Sequence, residues 1–153
     1  MLTRIIILLN QNLEKKYIRK DIGIEILCQQ RSLLKDIDAG KWAPSFGGHP
    51  GPGIDYTAGA IKELQDELGF EVDKTQLTLW EIFKSDFHKE FIGVFTYRWE
   101  GDITSLKLEK EEVEKVKWYS LEVLSKILLH EQSSQWAIIG FEKALLEYIK
   151  NLP

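Results

Sequence analysis

Residues 45–55 read Ser45-Phe46-Gly47-Gly48-His49-Pro50-Gly51-Pro52-Gly53-Ile54-Asp55, and the chain continues Tyr56-Thr57-Ala58-Gly59-Ala60-Ile61-Lys62-Glu63-Leu64-Gln65-Asp66-Glu67-Leu68-Gly69-Phe70. Four glycines and two prolines in the first nine residues exclude helix and regular strand there. Asp55 is suited to cap a helix starting directly after it. Ala60, Leu64 and Leu68 recur at i, i+4 and i+8 as one apolar line, and Gly69 stands where a left-handed C′ residue belongs. The stretch is therefore a glycine-rich loop feeding a helix over 56–68.

Working outward, Ile5-Ile6-Ile7-Leu8-Leu9 is β-branched and apolar and reads as a buried strand. Ile22, Ile24 and Ile26 alternate with Gly23, Glu25 and Leu27, which predicts a second strand with one well-buried face. Residues 31–44 read as a loop ending at Trp42. Downstream, 77–84 and 91–99 read as strands, the second placing Phe91, Phe95, Tyr97 and Trp99 on one face with Gly93. A charged loop over 101–115 leads to a short strand over 116–119, and Ser120 caps a helix through Leu129. Ile138, Phe141, Leu145 and Tyr148 make the stripe of a final helix. Residues 10–20 are polar and carry no clear period. Strands interleaved with about three helices, without an internal repeat, predict an α/β (α+β) layered domain spanning 1–153.

A chain of 153 residues can bury roughly two-thirds of its unfolded surface, enough for a core without disulfide or metal staples. Hydrophobic residues make 44% and charged residues 29%, which excludes a low-complexity or disordered chain. The formal net charge of −4 argues against binding nucleic-acid polymers or anionic membranes, while leaving room for a local basic pocket. The lone Cys28 can form no intramolecular disulfide or cysteine-rich zinc cage. Arg4 before the Ile5–Leu9 run is faintly like a signal peptide, but the run is too short and passes into Asn10-Gln11-Asn12. No stretch approaches the ~18 apolar residues of a membrane helix. A soluble cytoplasmic domain is expected.

The helix over 56–68 carries the chemistry. Glu63, Asp66 and Glu67 stand at i, i+3 and i+4, so one turn presents three carboxylates on adjoining faces. Such a helix, read alone, is usually a solvated face. Three acids that close repel one another unless a cation neutralises them, and carboxylates with a nearby backbone carbonyl suit Mg²⁺ or Mn²⁺. Glycines in the preceding loop let backbone approach that cation or a phosphate.

Loop and helix together resemble the Nudix box, G-x5-E-x7-R-E-U-x-E-E-x-G-U with U a bulky aliphatic. Gly48 opens the motif, and Lys62-Glu63-Leu64-Gln65-Asp66-Glu67-Leu68-Gly69-Phe70 closes it in register over 23 residues. The family's early glutamate falls on Ile54, its arginine on Lys62, and the first acid of the closing pair is Asp66. The resemblance implies a Nudix-like α/β/α sandwich with a mixed β-sheet, and a MutT-like, metal-dependent hydrolase of a diphosphate linkage in a nucleoside diphosphate derivative or related compound. It implies Glu63, Asp66, Glu67 and the Gly47 carbonyl as ligands of Mg²⁺ or Mn²⁺, with Glu63 also placed to orient or deprotonate water and Glu67 beside it as a catalytic position. The family's usual glutamate–arginine brace is absent, since Ile54 cannot form it, although Asp55 stands next to it.

Trp42-Ala43-Pro44-Ser45-Phe46-Gly47-Gly48-His49-Pro50 is also similar to isopentenyl diphosphate isomerase, a branch of the same fold. That enzyme's cysteine falls on Gly47, and no histidine precedes His49. The branch implies Arg31 and Lys35 as diphosphate grips and Glu90 as a catalytic, metal-proximal acid, with His88 pointing the same way at the start of the strand. His49, which falls on an isomerase metal ligand, reads first as a loop-packing or phosphate-contacting residue and joins Gly48 in the substrate-binding set. The tryptophans read mostly as core or wall, although Trp42 beside the loop could stack on a base or ring. Glu109, Glu111, Glu112 and Glu114 cluster in the late loop, where some Nudix hydrolases keep a base, but they interleave with lysines and read better as a solvated loop. Two further readings stand beside the hydrolase: a non-catalytic Nudix-fold domain that binds a nucleotide, and the isomerase, disfavoured by Gly47. The partner expected is a small-molecule diphosphate. The sequence leaves the oligomeric state open, a homodimer included.

Overall fold

A computed structural model describes residues 2–12, 23–129 and 134–151. Strands β1 (Leu2–Asn12), β2 (Ile24–Arg31), β3 (Trp42–Ala43), β4 (Phe46–Gly48), β5 (Leu77–Ser85), β6 (Glu90–Arg98) and β7 (Val113–Ser120) form one mixed sheet. β1 runs parallel to β6, from Leu2 opposite Glu90 to Asn10 opposite Arg98. Its other edge pairs antiparallel with β4 and then, near its end, with β2. Helix α1 (Tyr56–Leu68) covers one face, and α2 (Leu121–Leu129) and α3 (Glu142–Lys150) lie against the other.

The apolar run in β1 explains this layering. Ile5, Ile7 and Leu9 pack with Ala60, Leu64 and Leu68 of α1, while Ile6 and Leu8 pack with Leu124, Leu145 and Ile149. All five β1 residues are buried, as period-two alternation demands of a strand covered on both sides. The helix predicted over 56–68 has those bounds. The Asp55 carboxylate accepts a hydrogen bond from Ala58 N–H at 2.7 Å, and Gly69 closes the helix at φ +67°. Gly93 faces the ring of Tyr56, on the side of the sheet where Phe95 and Tyr97 lie.

Several expectations are corrected. β2 buries both faces, because Leu27 points toward α1 while Ile26 and Cys28 join the opposite core; Ile22 lies outside the described residues, as does 13–20 of the polar segment. The loop over 31–44 contains the short strand β3, where Gln29 lies opposite Ala43. The glycine-rich loop itself begins as strand β4, since Phe46, Gly47 and Gly48 pair with Ile7, Ile6 and Ile5. Only glycine allows that at position 47, where φ is +147° and a Cβ would stand 1.9 Å from the Ile5 carbonyl oxygen. The last helix starts only at Glu142, so Ile138 is outside it and 70% exposed, and Leu145, Leu146 and Ile149 form its buried face. Tyr148 instead packs on Trp80 and donates its hydroxyl to Glu81.

Candidate active site

The C-terminal end of α1 is built into the protein by the loop that follows β6. Its last carbonyls, which a helix leaves without partners, are taken by that loop: Lys107 N–H donates to Leu68 O and Glu109 N–H to Glu67 O, both at 3.0 Å. The approach is close, because a Cβ on Gly69 would lie 2.7 Å from Lys107 Cβ. This docking carries Glu112 to the acids of α1. Glu112 was expected in a solvated loop; its carboxylate instead accepts from Lys35 Nζ at 2.7 Å and lines a cleft of about 600 Å³.

Glu67 also lines that cleft and is only 5% exposed. Its Oε2 is buried with no hydrogen-bond partner. Burial pushes its carboxyl up to about 8, Glu63 and Glu112 add to the rise, and a hydrogen bond from the Gly47 backbone opposes it. Burial likewise raises Glu63, whose carboxylate lies against Gly48, where a Cβ would be 3.1 Å from Oε1. Asp66 takes a different direction. It is exposed and bonds Lys62 at 2.5 Å along the helix. Glu63, Glu67 and Glu112 are therefore brought together, while Asp66 turns its carboxylate to Lys62 and still adds to the rise at Glu63. Among the described residues no three His, Cys, Asp or Glu side chains form a ready metal cage.

The predicted substrate residues gather in the same cleft, where Arg31, Lys35, Gly47, Gly48 and His49 all contribute to the wall. Arg31 is tied to the loop that follows it, since its Nε and Nη2 donate to the Ile37 carbonyl at 3.2 and 2.9 Å. Glu90 is 2% exposed, with Oε2 2.7 Å from His49 Nε2 and Oε1 2.5 Å from Arg4 Nε. His88 lines the cleft too, half-buried beside Phe141 and 3.1 Å from Ser85 Oγ through Nδ1. Trp42 is not among the residues lining the cleft; it stacks on Trp136 and meets Tyr119 edge-on. Arg4 and Lys41 are cleft residues that motif reasoning passed over, and Glu112 is one that it read as solvated loop. Arg4 sits outside the box, and only the parallel β1–β6 pairing shows where it goes.

Comparison with known proteins bears on this arrangement. The NUDIX domain family matches residues 4–138, nearly the whole described chain. The chain belongs to the Nudix family. An uncharacterized Nudix hydrolase from Clostridium acetobutylicum is 30% identical over 94 residues, covering 58% of this chain and 45% of that protein. An isopentenyl-diphosphate Delta-isomerase from Paenarthrobacter aurescens is 40% identical over 63 residues, 41% of this chain and 34% of the relative. The chain thus spans less than half the length of these curated relatives. Among solved structures, DR0079 from Deinococcus radiodurans superposes with a TM-score of 0.71 at 18% identity, covering 97% of this chain and 82% of that one. The NUDIX domain of Shewanella oneidensis NrtR, solved with ADP ribose, gives 0.64 at 14% identity, covering 98% and 86%. At such identities these likenesses establish the Nudix fold.

Within that Nudix frame the departures from the box have visible consequences. Ile54 is 41% exposed and Asp55 is spent capping α1, so neither braces Lys62, which pairs with Asp66 instead.

Proposed function

We propose that this Nudix domain is a hydrolase that cleaves the diphosphate linkage of a small molecule, a nucleoside diphosphate derivative or related compound, with Mg²⁺ or Mn²⁺. The observation that carries this reading is Glu67: a carboxylate buried in the wall of a cation-lined cleft, with one oxygen lacking any partner. A buried, unpaired acid is costly, and a divalent ion would supply the missing partner. Mg²⁺ keeps several waters and binds through one or two carboxylates plus substrate phosphates, so Glu67 with Glu63 suffices as the protein's share. The Gly47 carbonyl and Asp66 are the remaining members of the proposed set, Asp66 after release from Lys62. A bound ion would neutralise charge developing on phosphate oxygens and acidify its water.

The chain's own groups do the rest. Glu67 would hold the ion in its ionised form, and Glu63, half-buried and made more basic by that burial, would orient a water and accept its proton once ionised. The cleft walls bring Lys35 and His49 toward the phosphates. Ile37, Phe87 and Ile138 give it an apolar rim.

The second reading, a nucleotide-binding domain without turnover, is favoured by the missing loop–helix brace at Ile54 and Lys62. The isomerase reading is disfavoured because position 47 has no room for a side chain. A panel of diphosphate compounds, incubated with Mg²⁺ and with Mn²⁺ and read as phosphate release after phosphatase coupling, tests the choice. Metal-dependent release from at least one compound is expected, and binding without release would favour the second reading.

A further inference from the structure

Three neighbouring strands deliver three side chains to one end of the sheet. β4 runs out into His49, β1 carries Arg4, and β6 begins at Glu90. The Glu90 carboxylate has a basic neighbour on both sides: Oε1 lies 2.5 Å from Arg4 Nε as an ion pair, although neither of those two atoms makes a hydrogen bond, and Oε2 is 2.7 Å from His49 Nε2. Its side chain is 3% exposed, against 36% for Arg4 and 45% for His49. A buried carboxylate in an ion pair on one side and bonded to His49 on the other is poorly placed to take a proton from water, and it does not line the cleft. Arg4 and His49 do line it. Arg4 Nε is fully buried, so the accessible part of that side chain lies elsewhere than at Nε. With His49 Nε2 turned to Glu90, Nδ1 is the ring nitrogen left for a ligand, and it donates to a phosphoryl oxygen when the ring is doubly protonated. Arg31, Lys35 and Lys41 also line the wall, but their partners, the Ile37 carbonyl, Glu112 and Asp38 at 3.2 Å, include no buried carboxylate.

We infer that Arg4 and His49 form a phosphate clamp in the cleft, with Glu90 as the buried positioning residue that aims both. The clamp rests on reading the cleft as a diphosphate site, and its ligand is a phosphoryl group. A guanidinium held beside a buried carboxylate as an ion pair has less freedom to lose when its other nitrogens meet phosphoryl oxygens, which lowers the ordering cost of binding.

Calorimetric titration with inorganic pyrophosphate in the presence of a chelator tests this without turnover. Arg4→Gln is expected to weaken binding by about ten-fold or more, and Arg4→Lys, which keeps charge but loses the fork, by less. Glu90→Gln should weaken it similarly. The double variant should lose little beyond either single change, because both act through one unit. Lys126→Gln on α2, remote from the cleft, serves as the charge control. On whichever diphosphate the panel yields, Glu90→Gln should raise KM and leave kcat within about three-fold. Wild-type protein that does not bind pyrophosphate, or an Arg4→Gln protein that binds as wild type does, would overturn the clamp. A Glu90→Gln protein that loses kcat at unchanged KM would overturn the positioning role. If Glu90→Gln does not fold, Arg4→Gln and Arg4→Lys decide. Arg4-dependent pyrophosphate binding without hydrolysis of any compound would uphold the clamp and sink the hydrolase reading alone.

Discussion

Gly47 and Ile5 stand so close that a Cβ on Gly47 would meet the Ile5 carbonyl oxygen at 1.9 Å. The contact joins β4 to the central strand and fixes the loop that faces Glu67. Gly47→Cys, which would restore the isomerase's cysteine, is therefore expected to lose about 3 kcal/mol or more of stability, or not to fold. Neither it nor the wild type should convert isopentenyl diphosphate to the dimethylallyl isomer with Mg²⁺. Thermal melts and product chromatography check both statements, and isomer formed by the wild type would contradict them.

Stability without metal should depend on pH through Glu67. Its folded value of about 8 stands above the ordinary 4.5, so the folded state holds that proton more tightly than the unfolded one. The associated stabilisation is fully present below about pH 4.5 and is lost as pH rises through about 8. Melts in chelator should show the Tm contribution falling across that window, and Glu67→Gln should flatten the slope. A wild-type profile superimposable on the variant's would count against the burial argument.

Gly69 tests the docking of the late loop. Its φ of +67° and the 2.7 Å approach to Lys107 make Gly69→Ala unfavourable by about 2 kcal/mol. For a chain of this size that is a fall of roughly 4–8 °C in Tm. Turnover should fall as well, since the same loop places Glu112 beside Glu63 and Glu67. A variant with lowered Tm and unchanged turnover would show that Glu112 has no part in the site.

The box was legible because its signals are local. Cap, apolar line and C′ glycine fix α1 within one stretch, and the same spacing names the acids on it. Glu112, Arg4 and the partners of Glu90 were not legible, because each depends on a non-local event: a loop capping the end of α1, or parallel pairing of β1 with a strand some eighty residues later. Burial also sorted the acids in a way spacing could not. Mutual repulsion among three neighbours was the sequence argument, whereas desolvation is the first cause of the Glu67 shift and Asp66 is turned out to Lys62.

The most direct test of the central claim is the Mn²⁺-dependent thermal shift of wild type, Asp66→Asn and Glu67→Gln, paired with turnover on the diphosphate the panel identifies. Glu67→Gln keeps shape while removing a buried charge, so without metal its Tm should equal or exceed the wild type's by up to about 4 °C. It should show no Mn²⁺ shift and lose activity by roughly 100-fold or more. Asp66→Asn, altering an exposed side chain, should retain part of both. If Glu67→Gln kept full activity and the wild type showed no shift with Mn²⁺, the acids of α1 would be only a charged helix end and the metal-dependent hydrolase account would be wrong.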